Sequence, residues 1–158
     1  MELRAFEKRD HHLLISWIDS DKLNYQWGGP NFEFPLDSTQ ISKHCSQPDV
    51  FPFIFVVSGQ SAGYIELFKV TESHFRICRV FVSVSFRGKG ISKLMLGQLI
   101  DLAKEKHSAN LLSLAVFEQN TVAIHCYESL GFTVTSYEKG SRFFDGEAWG
   151  LLRMEKRL

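Results

Sequence analysis

Cysteine is scarce in this chain and odd in number. Cys45, Cys78 and Cys126 are widely spaced, and no Cys-x-x-Cys pair occurs. That excludes a secreted disulfide framework and the common zinc-knuckle patterns, and it points to free thiols in a reducing compartment. Excess charge of either sign is also missing: Lys plus Arg equals 18 and Asp plus Glu equals 18. Without a global positive field there is nothing to gather nucleic acid or an anionic membrane, so neither is expected as a partner and any anion site must be local. No apolar run approaches membrane-spanning length, and Met1 to His12 alternates charged with apolar residues and holds no signal region. A cytoplasmic location is the expectation. Repeats, low-complexity tracts and linkers are absent too.

What is present is ordinary for a folded enzyme-sized unit. The 158 residues, 44% hydrophobic and 23% charged, suit one domain spanning 1–158. A chain of this length buries about 70% of its unfolded surface and needs no structural metal. Leu3 to Phe6 reads as a strand, followed by a helix capped by Asp10 and carrying Leu13, Leu14, Trp17 and Ile18 at helical spacing. Asn24 to Pro35, rich in aromatics, Gly and Pro, reads as an irregular surface flap, and Asp37 or Ser38 as the cap of a short helix through Cys45. Val50 to Ser58 and Ala62 to Val70 form a hairpin, with a third strand over Phe75 to Val84. Ile91, Met95, Leu99 and Leu102 then mark one face of a helix ending near His107, and Leu111 to Val116 is a strand. Strand, helix, strand implies a right-handed crossover between parallel neighbours. Asn120 caps a short helix closed by Gly131, and Phe132 to Tyr137 and Ala148 to Met154, joined through Asp145-Gly146, complete a mixed α/β sheet.

The chemistry concentrates in Phe86-Arg87-Gly88-Lys89-Gly90-Ile91-Ser92, which joins a strand to a helix N-terminus. Unpaired amides and the helix dipole attract an anion there, glycine lets a phosphate approach the backbone, and Arg87, Lys89 and Lys93 add positive charge. A tight turn with solvated lysines is the plainer alternative. The dinucleotide fingerprint fails, because its third Gly would fall on Lys93, and no Walker string occurs.

Val82, Arg87-Gly88-Lys89-Gly90-Ile91, Asn120, Ala123 and Tyr127-Glu128-Ser129-Leu130-Gly131-Phe132 together resemble the GNAT family of N-acetyltransferases. The likeness is strongest over Ala62 to Phe132, with a looser one to the ribosomal-protein N-terminal acetyltransferase branch in Leu3-Arg4-Ala5-Phe6, Asp10, Trp17-Ile18 and Trp27-Gly28-Gly29. It implies the GNAT-like fold, a mostly antiparallel sheet with one splayed parallel pair flanked by helices, and acetyl-CoA as co-substrate with no metal. By the same likeness the loop Arg87, Gly88, Lys89, Gly90, Ile91, Ser92 holds the CoA diphosphate, with Ser92 where Gly or Ala is usual. Phe81, Val82 and Ser83 pair with the pantetheine arm as an added strand, and Asn120, Ala123 and Tyr127 contact the cofactor.

The implied activity is transfer of an acetyl group from acetyl-CoA to a primary amine, of a peptide N-terminus or a small molecule, by direct attack. Tyr127 is then the acid that protonates the departing thiolate, and a backbone N–H near Val82 meets the oxyanion. Arg79 stands where many relatives keep a Glu, so Glu66 on the neighbouring strand is the candidate base, acting directly or through a water; a solvent-facing Glu is its plainer reading. His74, His125 and Glu147 stay open for that role, and Trp27, Phe32, Phe34 and Phe144 for an acceptor groove. The missing carboxylate motivates a second reading, a non-catalytic acyl-CoA-binding module, and the aromatic flap a third, an interaction domain. A monomer or a homodimer is expected.

Overall fold

The computed structural model describes residues 1–158 throughout. Strand β1 (Glu2–Ala5) is followed by helices α1 (His11–Trp17), α2 (Asp21–Gly28) and α3 (Ser38–Cys45), then by strands β2 (Val50–Val57), β3 (Gln60–Lys69) and β4 (His74–Val82). Helix α4 (Ile91–His107), strand β5 (Leu111–Phe117), helix α5 (Thr121–Ser129) and strand β6 (Thr133–Glu138) come next. The two-residue strands β7 (Phe143–Phe144) and β8 (Glu147–Ala148) form a separate small hairpin before β9 (Leu151–Arg157).

Seven strands make one sheet in the order β1-β2-β3-β4-β5-β9-β6, antiparallel except for β4 against β5. The mixed, mostly antiparallel sheet with one parallel pair is therefore as expected. β9 inserts between β5 and β6, and Asp145-Gly146 closes the small hairpin instead of joining the last two sheet strands.

Alternation along each strand sorts the core into two layers. Ile65, Leu67, Phe75, Ile77, Leu112, Leu114 and Met154 face α4 and α5, whose Met95, Leu96, Leu99 and Tyr127 close that core. Ile54, Tyr64 and Phe81 face the other way and meet Leu14, Ile18, Trp27, Phe32 and Ile41 of the α1–α3 layer. Fully burying an aliphatic or aromatic side chain of this size contributes about 1.5–3 kcal/mol, so both faces of the sheet are held strongly.

Two local readings are corrected. Asp10 precedes α1, but its side chain makes no cap bond. It instead forms a forked pair with Arg4 at 2.8 Å and accepts from the Glu7 N–H at 2.9 Å. The flap read over residues 24–35 is irregular and largely exposed only in its second part, from Phe32 on; its first part is helical, and two of its aromatics are core. α2 runs to Gly28, capped by Ser20 (Leu23 N–H to Oγ, 3.1 Å), and Trp27 and Phe32 are buried. Asp37 caps α3 as read, accepting from the Gln40 N–H at 2.9 Å.

Candidate active site

The parallel pair is short. β4 and β5 are in register only from His74↔Leu111 to Arg76↔Ser113, and beyond that the two strands part. β5 goes on pairing with β9 as far as Phe117↔Leu151, so it is held on its far side. β4 stays with β3, but between Tyr64↔Phe81 and Glu66↔Cys78 it carries an extra residue. Arg79 takes this bulge with φ +53°, and its carbonyl accepts from the Trp27 indole N–H at 3.0 Å. A bulge bends a strand and breaks its ladder, which accounts for β4 turning away from β5 at this point.

Past the bulge, the Ser83 N–H donates to Ala62 O at 2.8 Å, so Phe81 and Ser83 direct their polar backbone groups at β3. Those of Val82, one residue out of phase, face the gap. The Val82 carbonyl accepts from Arg87 Nε at 3.0 Å, and that guanidinium lies 5.4 Å from the Phe81 ring centroid. Arg87 thus braces the end of β4 with its side chain, while its backbone begins the loop.

The loop then makes two left-handed turns, Gly88 at φ +75° and Gly90 at φ +73°, before α4 begins. Glycine populates this region freely, whereas other residues pay about 1–2 kcal/mol. The result is a run of backbone amides from Gly88 to Lys93 with no acceptor in the protein: the first helical backbone bond near the junction is Leu94 N–H to Gly90 O at 3.3 Å. Gly88, Lys89 and Gly90 are exposed, and Gly90 offers no side-chain cap. Donors left free at a helix start, beside Lys89 and Lys93, suit an anion with several acceptor oxygens.

On the other side of the gap, Asn120 caps α5, its Oδ1 accepting from the Ala123 N–H at 3.4 Å. About two turns later Tyr127 is buried against the α4 core and edge-on to Phe132. No protein group accepts from or donates to its hydroxyl. Burial, with smaller contributions from Cys126 and Cys78, pushes the phenol well above its ordinary value, so it stays protonated.

Glu66 is not solvent-facing, because α3 lies over it. Its exposure is 0%, with His44 Nε2 and Arg79 Nη1 each 2.9 Å from Oε1 and the Tyr64 hydroxyl 2.5 Å from Oε2. Complete burial, the largest single influence, raises its pKa. The His44 hydrogen bond, the Arg79 charge and the Tyr64 hydroxyl outweigh it and hold the carboxyl below its ordinary value. A carboxylate so surrounded cannot take a proton from an acceptor directly, and the direct route expected for Glu66 is corrected on that ground. Sequence reading also missed His44, which has no local signature on α3 and reaches Glu66 only through tertiary packing.

A cavity of about 750 Å³ opens on the α1–α3 side of the gap, between Trp27–Glu33, His44, β4 residues 76–79, β5 at Ala115 and Phe117, and β9 at Leu151 and Arg153. A second, of about 600 Å³, lies between α2 and the β7–β8 hairpin and includes Asn120, Phe144 and Glu147. Trp27 and Phe32 therefore line the larger cavity and Phe144 the smaller; Phe34 lines neither. His74 bonds Ser113 Oγ at 2.7 Å at the closed end of the parallel pair, remote from Val82 in the strand, and His125 is exposed on α5. The loop and Tyr127 thus approach the gap from the α4–α5 face, and the larger cavity approaches it from the opposite face.

Comparison with known proteins agrees with this arrangement. The model of the acetyltransferase (GNAT) family matches residues 14–132. The chain is 24% identical over 156 residues to spermidine N(1)-acetyltransferase of Escherichia coli strain K12, covering 98% of this chain and 84% of that protein. It is 32% identical over 116 residues to an uncharacterized N-acetyltransferase of Methanocaldococcus jannaschii, covering 67% of this chain and 45% of the relative. Among solved structures, spermidine N-acetyltransferase from Vibrio cholerae in complex with CoA and spermine superposes with a TM-score of 0.85 at 20% identity, covering 99% of this chain and 94% of that one. Ribosomal-protein-alanine N-acetyltransferase from Brucella melitensis superposes with a TM-score of 0.79 at 21% identity over the whole of both chains.

Proposed function

The chain belongs to the acetyltransferase (GNAT) family and is an acetyl-CoA-dependent N-acetyltransferase, and from that premise we propose that it acetylates a primary amine bound in the cavity of about 750 Å³, by direct attack across the gap between β4 and β5. The observation that carries this reading is the run of unpartnered amides from Gly88 to Lys93 beside that gap. The amides hold the diphosphate, with Arg87 bracing the strand end that precedes them. Of the three residues expected to pair with the pantetheine arm, Val82 offers the backbone edge along which the arm lies, whereas Phe81 and Ser83 spend their backbone groups on β3 and hold that edge in place, with Asn120 and Ala123 across from it.

Acetyl-CoA supplies a thioester activated for acyl transfer. The amine nitrogen bonds to the carbonyl carbon, the C–S bond breaks, the amine gives up a proton, and the thiolate gains one. The Val82 N–H, directed at the gap, suits the oxygen that becomes negative during attack. Tyr127, buried and protonated, is the acid for the thiolate. Glu66 acts through His44. Its carboxylate fixes the ring through Nε2, leaving Nδ1, 3.4 Å from Gln47 Nε2, as the atom that can receive the proton of the amine, directly or through a water.

The non-catalytic reading gives way, because the family is enzymatic and the carboxylate missing beside Arg79 is supplied by Glu66. The acceptor is either a small-molecule amine, the kind of molecule named for the spermidine relatives, or a peptide N-terminus. Incubation with acetyl-CoA and a panel of both kinds, with released thiol as the readout, tests the proposal. Turnover that Tyr127→Phe slows without weakening CoA binding supports it, and binding of CoA with no turnover on any amine overturns it.

A further inference from the structure

The cavity has a charge pattern that the chain as a whole lacks. Lys plus Arg balances Asp plus Glu at 18 each over the sequence, yet the cavity wall takes Lys43, Arg76, Arg79, Arg142 and Arg153, with Glu33 as its single acid. Two of these cations are already neutralised: Arg79 by Glu66 at 2.9 Å, and Arg153 by Glu138 at 3.0 Å. Lys43 and Glu33 are both exposed and offset one another in sign.

Arg76 and Arg142 remain. Neither takes part in any salt bridge. Arg76 projects from β4 on the face opposite Phe75 and Ile77, its guanidinium 5.9 Å from the Phe68 ring centroid. Arg142 precedes β7, and its Nη1 donates only to the neighbouring Ser141 carbonyl at 3.2 Å. Two partly buried forked donors from different elements thus border one cavity with their carboxylate partners missing. An acceptor carrying several positive charges would meet these guanidinium groups with Glu33 alone to receive it, whereas a carboxylate would pair with either.

We propose that the acceptor is an amine whose own molecule carries a carboxylate, of the amino-acid class, and that Arg76 and Arg142 select it. The inference rests on the reading that this cavity receives the acceptor. Selectivity here comes from charge: the acidic group fixes the molecule on the arginines while its amine reaches the gap, and a polyamine is repelled.

The test is steady-state thiol release from acetyl-CoA with a panel of amino acids, the carboxamide of the best of them, and spermidine, for the wild type, Arg76→Gln and Arg142→Gln. Unchanged melting temperatures establish that both variants fold, and calorimetry with CoA measures the other substrate. The amino acid should exceed spermidine in kcat/KM by about tenfold or more. Each variant should lose about tenfold to a hundredfold toward the acid and much less toward its carboxamide, with CoA affinity unchanged. Equal losses for acid and carboxamide, or a loss of CoA affinity in either variant, would overturn the inference. Preference for spermidine over every acid sinks it alone and leaves the proposed reaction standing, whereas the failure of every amine to raise thiol release above the amine-free rate sinks both.

Discussion

Replacing Glu66 with leucine removes the one carboxylate shared by Arg79, His44 and Tyr64, and the cost follows from what stays behind. The Arg79 side chain is only 10% exposed, and its Nε already lacks a partner, so its charge would be stranded. Breaking a buried pair by deleting one member costs about 3–5 kcal/mol, because the survivor keeps its desolvation penalty. At roughly 2–4 °C per kcal/mol for a chain of this size, the melting temperature should fall by roughly 6–20 °C. The double variant Glu66→Leu/Arg79→Met replaces both charges with apolar volume and should recover most of that loss. Chemical denaturation of the wild type, both singles and the double completes the cycle. The acid limb gives a second check. Glu66 sits below its ordinary value in the folded state, so its contribution is complete above the unfolded value of about 4.3 and is lost as pH falls through the folded one. The stability gap between the wild type and Glu66→Gln should therefore narrow only in that acid window. A single variant that loses less than about 1 kcal/mol, or a double no more stable than Glu66→Leu, refutes the reasoning.

Other substitutions probe the gap and its frame. Tyr127→Phe removes a hydroxyl that bonds to no protein group, so stability should hold while kcat drops by about 10²–10⁴-fold, as stopped-assay thiol release would record. Gly90→Val places a β-branched residue at φ +73°, which should cost at least about 1–2 kcal/mol in a thermal melt and raise the KM for acetyl-CoA. Trp27→Phe keeps an aromatic ring, though a smaller one, and frees the Arg79 carbonyl from its 3.0 Å bond; a loss of about 0.5–1.5 kcal/mol in urea denaturation is expected, beyond the cost of the lost packing. Asn120→Ala removes a long cap bond of 3.4 Å and should cost at the low end of the usual 0.5–2 kcal/mol, measured the same way.

Features governed by neighbours in the chain were readable in advance. Asn120 and Gly131 bracket α5 because a cap and a left-handed closing glycine act within one helical turn, and Gly88 and Gly90 announce the loop for the same reason. α2 was masked, since Gly28, Gly29 and Pro30 at its end make the whole stretch look irregular, while Ser20 starts it and Trp27 anchors it in the core. Insertion of β9 between β5 and β6 has no local marker at all. Glu66 shows the limit most clearly. Alternation puts it on the face of Tyr64, but whether that face meets water or a helix depends on α3, and its partners His44 and Arg79 lie 22 and 13 residues away in sequence.

The diphosphate cradle is tested most directly by backbone amide NMR of the assigned protein as CoA is added. The amides of Gly88 through Lys93, which have no acceptor in the protein, should move downfield together and saturate with the affinity measured by calorimetry. Saturable CoA binding that leaves those amides unmoved would contradict the proposed site.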